Sequence, residues 1–316
     1  MFYNALLGAA LFFALAVQTA SAQVVALGST ATGGTSQIGR ALAAAVSEAS
    51  PLQMRPQEVA NTSDYIPLVN AGELEFGIAN VVQTIHAYEG VGMSEGRVND
   101  NLRMVATLMP FRAGFIVPTD SEIQSVEDLR GRRVPSFAEG ALGQHVVNAY
   151  LANGGLTIDD VVEVPVPNFP RMWSSFAEGT TDVTVVVLGA GNSREFDATM
   201  GGIRYIDFDT SPEAVAAMNE WLPQMYLAEV QPTDDIPGIA VPTNIMVYDY
   251  TLFASADTSD EQVYEVVKAI YDNEESLLAT GPFFDGFVAS EMGRDVGLPY
   301  HPGAIQFYEE QGIWNR

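Results

Sequence analysis

Apolar and polar positions alternate along the chain in segments that predict strands and helices in turn. Val24 to Leu27 is an apolar strand, Gly28 to Gly34 is a small polar turn, and the Ala-rich stretch from Ile38 to Val46 is a helix. Further strands are predicted at 76–79, 161–166, 183–188 and 204–208, and further helices at 142–152 and 170–178. This alternation predicts an α/β fold, with a mostly parallel sheet in the second half of the chain.

Two longer β segments are predicted to connect two lobes. LRMVATLMPFRAGFIVP begins at Leu102 and contains two apolar runs separated by Pro110-Phe111-Arg112, and PTNIMVYDYTLFAS begins at Pro242. A chain of 316 residues exceeds what one hydrophobic core usually accommodates. We therefore expect lobe 1 to comprise residues 23–112 and 246–316, and lobe 2 to comprise residues 113–245. The hinge is expected near 110–116 and 240–247.

Helix starts are marked by capping residues. Ser125 and Asp128, and later Ser259 and Gln262, have the spacing of a capping box. The second pair opens DTSDEQVYEVVKAIYDNEESLL, which is predicted to form one long helix. Gly90 follows QTIHAYE in the position of a helix C-cap.

The amino terminus, MFYNALLGAALFFALAVQTASAQ, has the length and apolar character of a signal peptide. Its small residues Ala20-Ser21-Ala22 predict cleavage after Ala22 and export to the periplasm. The region before the apolar stretch has no Lys or Arg, and an uncleaved anchor helix is the alternative. Cysteine is absent, which excludes thiol chemistry and disulfides.

Charge narrows the range of partners. Asp and Glu number 40 against 14 Lys and Arg, which gives a formal net charge of −26. Such a surface repels phosphate backbones and anionic lipids, so nucleic acid is not an expected partner. A solvated acidic surface is the simplest interpretation of the excess.

Motifs typical of catalysis are missing: there is no HExxH, no GxSxG and no phosphate-binding Walker loop. His86 and His145 are each either a ligand contact or a structural helical histidine, and His301 is expected to be a packing and turn residue. Asp207 and Asp209 precede Ser-Pro and favour a helix start over a metal site. We therefore expect neither a metal nor a cofactor.

The strongest local indication of binding is the turn at Gly33 and Gly34. Glycines allow close approach of the backbone, while the first N–H groups of the following helix favour a small anion. An ordinary tight turn between strand and helix is the alternative. Arg112, Arg171 and Arg194 lie beside predicted strand ends or helix starts, where a carboxylate contact is feasible. A surface or interlobe arginine is the simpler interpretation of each.

Several segments, in order, resemble the TAXI solute receptors of TRAP transporters over nearly the whole exported chain. They are ATGGTSQIGRAL, GELEFGIANVVQTIHAYEG, LRMVATLMP, SVEDLRGRRV, GLTIDDV and PYHPGAIQFYEEQG. The TGGT turn and the HPGA segment are the most specific. The resemblance implies a two-lobed type II periplasmic-binding-protein fold with the ligand cleft between the lobes. It also implies a small organic acid as ligand, amino-acid-like or dicarboxylic, and a sodium-coupled TRAP permease as partner.

The resemblance places Gly33, Gly34, Thr35 and Asn80 at the cleft. This chain departs from the family at Val81 and Val82, and in the loops 136–144 and 188–193, so its ligand is expected to be less polar or to carry an amine. The full candidate ligand-binding set is Thr32, Gly33, Gly34, Thr35, Asn80, Arg112, Glu139, Gly140, Gln144, Arg171, Gly189 and Asn192.

The leading hypothesis is a monomeric binding protein, not an enzyme, that closes around its ligand. A sensor that presents the same ligand to a signalling receptor is one alternative. A secreted hydrolase, with Glu139 as the base and His145 as its partner, is the other.

Overall fold

The computed structural model describes residues 23–314, so the predicted signal peptide, residues 1–22, lies outside the described part. The strands are β1 Gln23–Thr30, β2 Leu52–Val59, β3 Phe76–Asn80, β4 Leu102–Pro118, β5 Arg133–Ser136, β6 Val162–Pro165, β7 Thr184–Val187, β8 Ile203–Tyr205, β9 Tyr226–Val230 and β10 Thr243–Ser255. The helices are α1 Gly33–Ala49, α2 Thr62–Asn70, α3 Val81–Glu89, α4 Leu142–Asn153, α5 Phe169–Ala177, α6 Gly191–Met200, α7 Pro212–Asn219, α8 Asp260–Asp272, α9 Glu274–Leu278 and α10 Pro302–Glu310. These elements confirm the predicted α/β fold class.

An eight-stranded sheet forms the centre of the molecule, in the order β2-β1-β3-β10-β4-β7. β1 pairs in parallel with β2 and β3, whereas β10 pairs antiparallel with β3 and β4. The remaining two strands attach at the far side, β8 to β4 and β9 to β10. The sheet therefore has a parallel part around β1. β4 and β10, the two long crossing strands, pair antiparallel with each other and with their other neighbours.

The two long β segments are confirmed as strands that pair with each other. The pairing of β4 with β10 runs from Leu102 opposite Ser255 to Ala113 opposite Met246. The register shifts between Asp249 and Thr251, next to Pro110, which lies opposite Asp249. Proline has no N–H to donate to the ladder, which accounts for an irregularity at this point.

The predicted parallel sheet in the second half is wrong. Among the described strands of that half, only β5 and β6 pair in parallel. β7 and β8 pair antiparallel with β4, and β9 pairs antiparallel with β10. The cause is the entry of β4 and β10 into this half, because they supply pairing edges that the shorter strands join.

Two further local predictions differ from the structure. β2 was not expected, because its sequence LQMRPQEV carries Arg55 and Pro56, yet it pairs with β1 along eight residues. It is an edge strand, where proline and charge are tolerated.

The predicted long helix divides into α8 and α9 at Asn273, whose backbone angles (φ −114°, ψ 26°) leave the helical region. Its capping box, Ser259 with Gln262, is confirmed.

Alternation along the strands gives the sheet two buried faces. Phe115 and Val185 belong to the main core, whereas their neighbours Ile116 and Val186 belong to a second cluster. The same alternation decides which side chains of β4, β7 and β10 reach the cavity described next.

Candidate ligand cavity

A cavity of about 360 Å³ lies where the first turns of α1, α2, α4 and α5 meet strands β4, β7 and β10. Of the candidate set, Thr32, Gly33, Gly34, Thr35, Asn80, Glu139 and Gly140 line it. A volume of this size is typical of small-molecule sites. The cavity therefore brings together the predicted glycine turn and part of the predicted loop 136–144.

The start of α1 is open towards the cavity. Thr32 is its N-cap, yet its side chain caps no N–H group. Gly33 has φ 82°, a left-handed conformation that favours glycine, and a β-carbon there would lie 3.1 Å from Cη2 of Trp173. A β-carbon on Gly34 would lie 3.0 Å from the rings of Phe111 and Phe283. Glycine is favoured at position 33 by its positive φ, and at both positions a side chain would press on an aromatic ring.

The start of α4 is open in the same way. Its N-cap, Ala141, has no side chain able to accept a hydrogen bond from the first turn. Gly140 before it has φ 78°, and a β-carbon on Gly143 would lie 2.6 Å from the ring of Phe137. Like α1, α4 presents N–H groups without a side-chain cap, which favours an anion at this end.

The starts of α2 and α5 are already satisfied by side chains. The N–H of Asn61 donates to the Asp64 carboxylate at 3.0 Å, and Oδ1 of Asn168 accepts from the N–H of Arg171 at 3.0 Å. An anion is consequently favoured more at α1 and α4 than at α2 and α5.

Asn80 is tied into a buried network. Its Oδ1 accepts from the N–H of Gln83 at 2.8 Å, and its Nδ2 donates to Oε1 of Gln83 at 2.9 Å. Nε2 of Gln83 in turn donates to Oγ1 of Thr62 at 2.5 Å. Asn80 lines the cavity, but its amide is occupied in fixing α2 against α3.

Aromatic rings form much of the remaining wall. The rings that line the cavity are those of Phe111, Phe137, Phe169, Trp173, Tyr248 and Tyr250. Two hydrogen bonds orient members of this set: Nε1 of Trp173 donates to the carbonyl of Val185 at 2.9 Å, and the hydroxyl of Tyr250 pairs with that of Thr35. Desolvation by burial raises the pKa of the Tyr250 hydroxyl, which therefore stays neutral.

Charge is scarce in the wall. Among the described lining residues, Arg97 and Glu139 are the only ionised side chains, and both are exposed at the surface. Neither forms an ion pair with another described residue. Sequence reasoning included Glu139 and missed Arg97, which stands in a loop without a motif.

Arg112 lies outside the cavity because of strand alternation. Its neighbours Phe111 and Ala113 face the cavity, so the Arg112 side chain points to the opposite face of β4. There it lines a wider groove and stands 3.7 Å from the Asp285 carboxylate. The prediction of Arg112 as a cleft residue is corrected accordingly.

Four more candidates are placed away from the cavity wall. Arg171 pairs with Glu178 on the outer face of α5, with N–O distances of 3.0 and 3.2 Å. Gln144 supports the loop from behind, since its Oε1 accepts from the N–H of Phe137 at 2.7 Å. Gly189 forms the turn between β7 and α6 at φ 71°, and Asn192 lies in the first turn of α6.

Val81 and Val82 do not form a wall of the cavity. Both are buried in the core, with exposures of 3% and 0%. The inference that their replacement of polar residues changed the cleft is therefore wrong. The apolar character of this cavity comes instead from the aromatic residues of β4, β10 and α5.

His86 and His145 lie close together, with ring centroids 6.1 Å apart, on α3 and α4. Desolvation lowers the pKa of both rings, and the neighbouring His145 lowers that of His86 further, while Glu89 raises it. Nδ1 of His86 accepts from the N–H of Met93 at 3.4 Å, which requires that nitrogen to be unprotonated. No hydrogen bond or ion pair joins Glu139 to His145 in the described chain, so the hydrolase pair is not assembled.

His301 is the predicted packing and turn residue. It is 1% exposed, forms the N-cap of α10 and accepts from the N–H of Gly303 through Nδ1. Asp207 accepts from the N–H of Asn244 at 2.6 Å, and Asp209 accepts from that of Ser211 at 2.8 Å. Both carboxylates therefore act in local structure, and no group of metal-ligating side chains occurs within residues 23–314.

Sequence reasoning missed most of the aromatic wall and the polar starts of α2 and α5. Asn61-Thr62-Ser63 has the N-x-S/T spacing of a glycosylation acceptor, and all three residues line the cavity. Asn168 before Phe169-Pro170 has the composition of a capped helix start, a signal that was available.

Within the described residues, none of the helices has the length and apolarity needed to cross a bilayer.

The NMT1-like family model matches residues 27–312. The chain belongs to the NMT1-like family. Solved structures extend this result to the fold, although identities are low. A structure described as a periplasmic transporter has TM-score 0.60 at 13% identity, covering 92% of this chain and 94% of that chain. PhnD1 from Prochlorococcus marinus, in complex with methylphosphonate, has TM-score 0.53 at 12% identity, covering 92% and 97%.

A binding protein component of a phosphonate ABC transporter from Pseudomonas aeruginosa has TM-score 0.51 at 11% identity, covering 82% of this chain and 78% of that chain. These likenesses show that this NMT1-like chain has the mixed α/β fold of periplasmic binding proteins.

Proposed function

We propose that this NMT1-like protein is an extracytoplasmic solute-binding protein that captures a small organic acid and delivers it to a membrane permease. The observation behind the proposal is one cavity in which two helix starts without side-chain caps meet an apolar aromatic wall. Helix N-termini attract an anion, and exclusion of water strengthens that attraction. The cavity holds neither an assembled nucleophile and base nor a metal cluster among the described residues, which favours binding over catalysis.

In this proposal the two lobes close around the ligand, and the permease recognises the closed form. α1 packs on β1 and β2, whereas α5 packs on β7, and Trp173 of α5 lies against Gly33 of α1. This contact joins elements on either side of the crossing strands, where the cavity is narrow. The hinge is proposed at 110–116 and 240–247, around the irregular pairing beside Pro110, with lobe boundaries as expected from the sequence. A ligand shifts the population only by its preference for the closed form.

Delivery is proposed to run to a sodium-coupled TRAP permease, as the sequence resemblance implies. The support is the ordered set of segments shared with TAXI receptors, including TGGT at the start of α1 and HPGA at the start of α10. Export through a signal peptide cleaved after Ala22 and a monomeric state belong to the same proposal. Amino-terminal sequencing of the protein from a periplasmic extract should begin at Gln23.

Thermal unfolding of the purified protein against amino acids, dicarboxylates and aromatic acids tests capture directly. A ligand present at a hundredfold excess over Kd should stabilise the fold by about 2.7 kcal/mol. The compound should be recovered unchanged, because the protein is not proposed to be an enzyme. Consumption of the compound would contradict the proposal in favour of the hydrolase.

Transport in liposomes distinguishes the permease classes. The purified receptor, with its labelled ligand, is added to vesicles containing the membrane subunits encoded beside it. Uptake that requires a sodium gradient and is indifferent to ATP supports TRAP delivery. If uptake instead requires ATP, solute capture would still stand, but the partner would be an ABC transporter and not a TRAP permease.

A further inference from the structure

The aromatic residues of the cavity form two groups. Phe111, Tyr248 and Tyr250 come from the crossing strands, with Phe111 and Tyr248 stacked at 5.5 Å and an interplanar angle of 6°. Phe137, Phe169 and Trp173 come from the loop after β5 and from α5, with successive centroids 5.2 and 6.2 Å apart. Neighbouring glycines of α1 contact the two groups, Gly34 at Phe111 and Gly33 at Trp173. The cavity between them suits a flat apolar body.

The charges of the wall fit one anionic group rather than two. Arg97 and Glu139 are of opposite sign, so the ionised side chains of the described wall contribute no net positive charge. A second carboxylate in this aromatic surrounding would lose its hydration without a cation to compensate. The uncapped starts of α1 and α4, together with Arg97, supply positive potential for a single acid group.

Tyr248 provides an independent indication of a ligand. Its side chain lines the cavity and the residue is 5% exposed, yet its hydroxyl forms no hydrogen bond with any described residue. The hydroxyl is open to the cavity, so its hydrogen-bond partner is whatever molecule occupies that space. The other polar rings of the wall do have one, since Tyr250 pairs with Thr35 and Trp173 donates to Val185. A polar substituent on a bound ligand would satisfy Tyr248.

We propose that the ligand of this cavity is an aromatic monocarboxylic acid, with its ring between the two aromatic groups and its carboxylate at the starts of α1 and α4. A hydroxyl or carbonyl on the ring side reaches Tyr248. This inference rests on the proposed function and refines its ligand class, away from the dicarboxylates that the sequence resemblance implies.

Isothermal titration of the purified protein with matched compounds tests the inference. The probes are 3-phenylpropionate, its uncharged amide, 3-(4-hydroxyphenyl)propionate, glutarate and glutamate. Both aromatic acids should bind, the amide should bind about tenfold more weakly or worse, and glutarate should not bind measurably. Tyr248→Phe should abolish the advantage of the hydroxylated acid and leave 3-phenylpropionate unaffected.

Two tryptophan variants, one at the cavity wall and one away from it, test how much the ring of Trp173 contributes to ligand affinity. Trp173→Leu should lower the affinity for 3-phenylpropionate about tenfold or more, because a ring contact is lost. Trp221→Leu changes a tryptophan that is 39% exposed and outside the cavity wall, and should leave the affinity unchanged. Thermal unfolding of both variants without ligand verifies that they are folded.

The outcomes separate the two proposals. Preferential binding of glutarate or glutamate, or equal binding of the amide and the acid, would overturn the aromatic monoacid and leave solute capture standing. If none of the probes nor any other acid of the thermal panel binds, the proposed function fails, and the ligand class fails with it.

Discussion

The two faces of the β4–β10 strand pair differ in the number of ionised side chains that border them. On one face Phe111, Tyr248 and Tyr250 border the cavity of about 360 Å³. On the other, Arg112 borders a wider groove of about 550 Å³ that also contains Arg194, Glu229, Asp235 and Asp285. The groove has more ionised side chains, yet the cavity has the open helix starts and the unpartnered hydroxyl.

The two faces therefore differ in the arrangement of their charges and dipoles as well as in the number of ionised side chains. Arg112 lies 3.7 Å from Asp285, and on the same side of β10 Asp249 lies 2.6 Å from Arg294. In both pairs each charge is partly neutralised by its partner. In the cavity, fixed backbone N–H groups act in a drier surrounding, where each interaction with an anion is stronger.

The largest expected effect separates adjacent residues of β4. Phe111→Ala should destabilise the protein by about 3 to 5 kcal/mol, because a core ring is replaced by a cavity. Arg112→Ala should cost less than about 1 kcal/mol, because it removes only a half-exposed ion pair. Urea unfolding of both variants measures the difference. Equal losses would mean that the two faces of the strand contribute alike.

A smaller effect is expected at the start of α1. Gly33→Ala and Gly201→Ala both place a side chain at positive φ, 82° and 78°, and should each cost about 1 to 2 kcal/mol. Only Gly33 has a neighbour, Trp173, whereas a β-carbon on Gly201 meets no atom within 4 Å. Ligand titration should therefore show weaker binding for Gly33→Ala alone. If binding is weaker in both variants, the loss of affinity comes from a general loss of stability and not from the contact between Gly33 and Trp173.

Stability should also depend on pH through the histidines. Folding lowers the pKa of His86, His145 and His301, in each case mainly by desolvation, so the unfolded chain binds protons more readily. The free energy of unfolding should therefore fall as the pH drops below the ordinary histidine pKa of about 6.5, until the lowered folded-state values are passed. Urea midpoints across this range measure the slope.

The variant His145→Gln should have a shallower slope than the unmodified protein. It removes one of the three groups and also the ring that lowers the pKa of His86. His301 remains in both proteins, so a reduced dependence is expected rather than none. An unchanged slope would show that the pair between α3 and α4 does not contribute to the acid sensitivity.

The smallest effect is expected outside both regions. Arg171→Ala breaks an exposed pair with Glu178 and should change the free energy of unfolding by no more than about 0.5 kcal/mol, with ligand affinity unaltered. Arg97→Ala, at the cavity, should weaken binding of an acid while leaving stability equally unaffected. A loss of ligand affinity in Arg171→Ala would show that Arg171 takes part in ligand binding, although it lies outside the cavity wall.

Local patterns were sufficient for part of this description. The strand, glycine turn and helix at β1 and α1, the capping box at Ser259 and the two crossing strands were all predictable, because each depends on neighbours within a few residues. The position of Gly33 and Gly34 beside a cavity followed from the same turn. Asn80, Glu139 and Gly140 of the candidate set also line the cavity.

The remainder depended on contacts between distant segments. Arg97, Trp173 and Tyr248 come from a loop, a helix and a strand that no sequence spacing relates, and only the packed fold brings them to one wall. The face reached by Arg112 depended on the register of β4 with β10, because each step along a strand reverses the direction of the side chain. The sequence by itself determined the elements and the glycine turn. Tertiary packing decided which side chains face the cavity, because register and long-range contacts set the direction of each one.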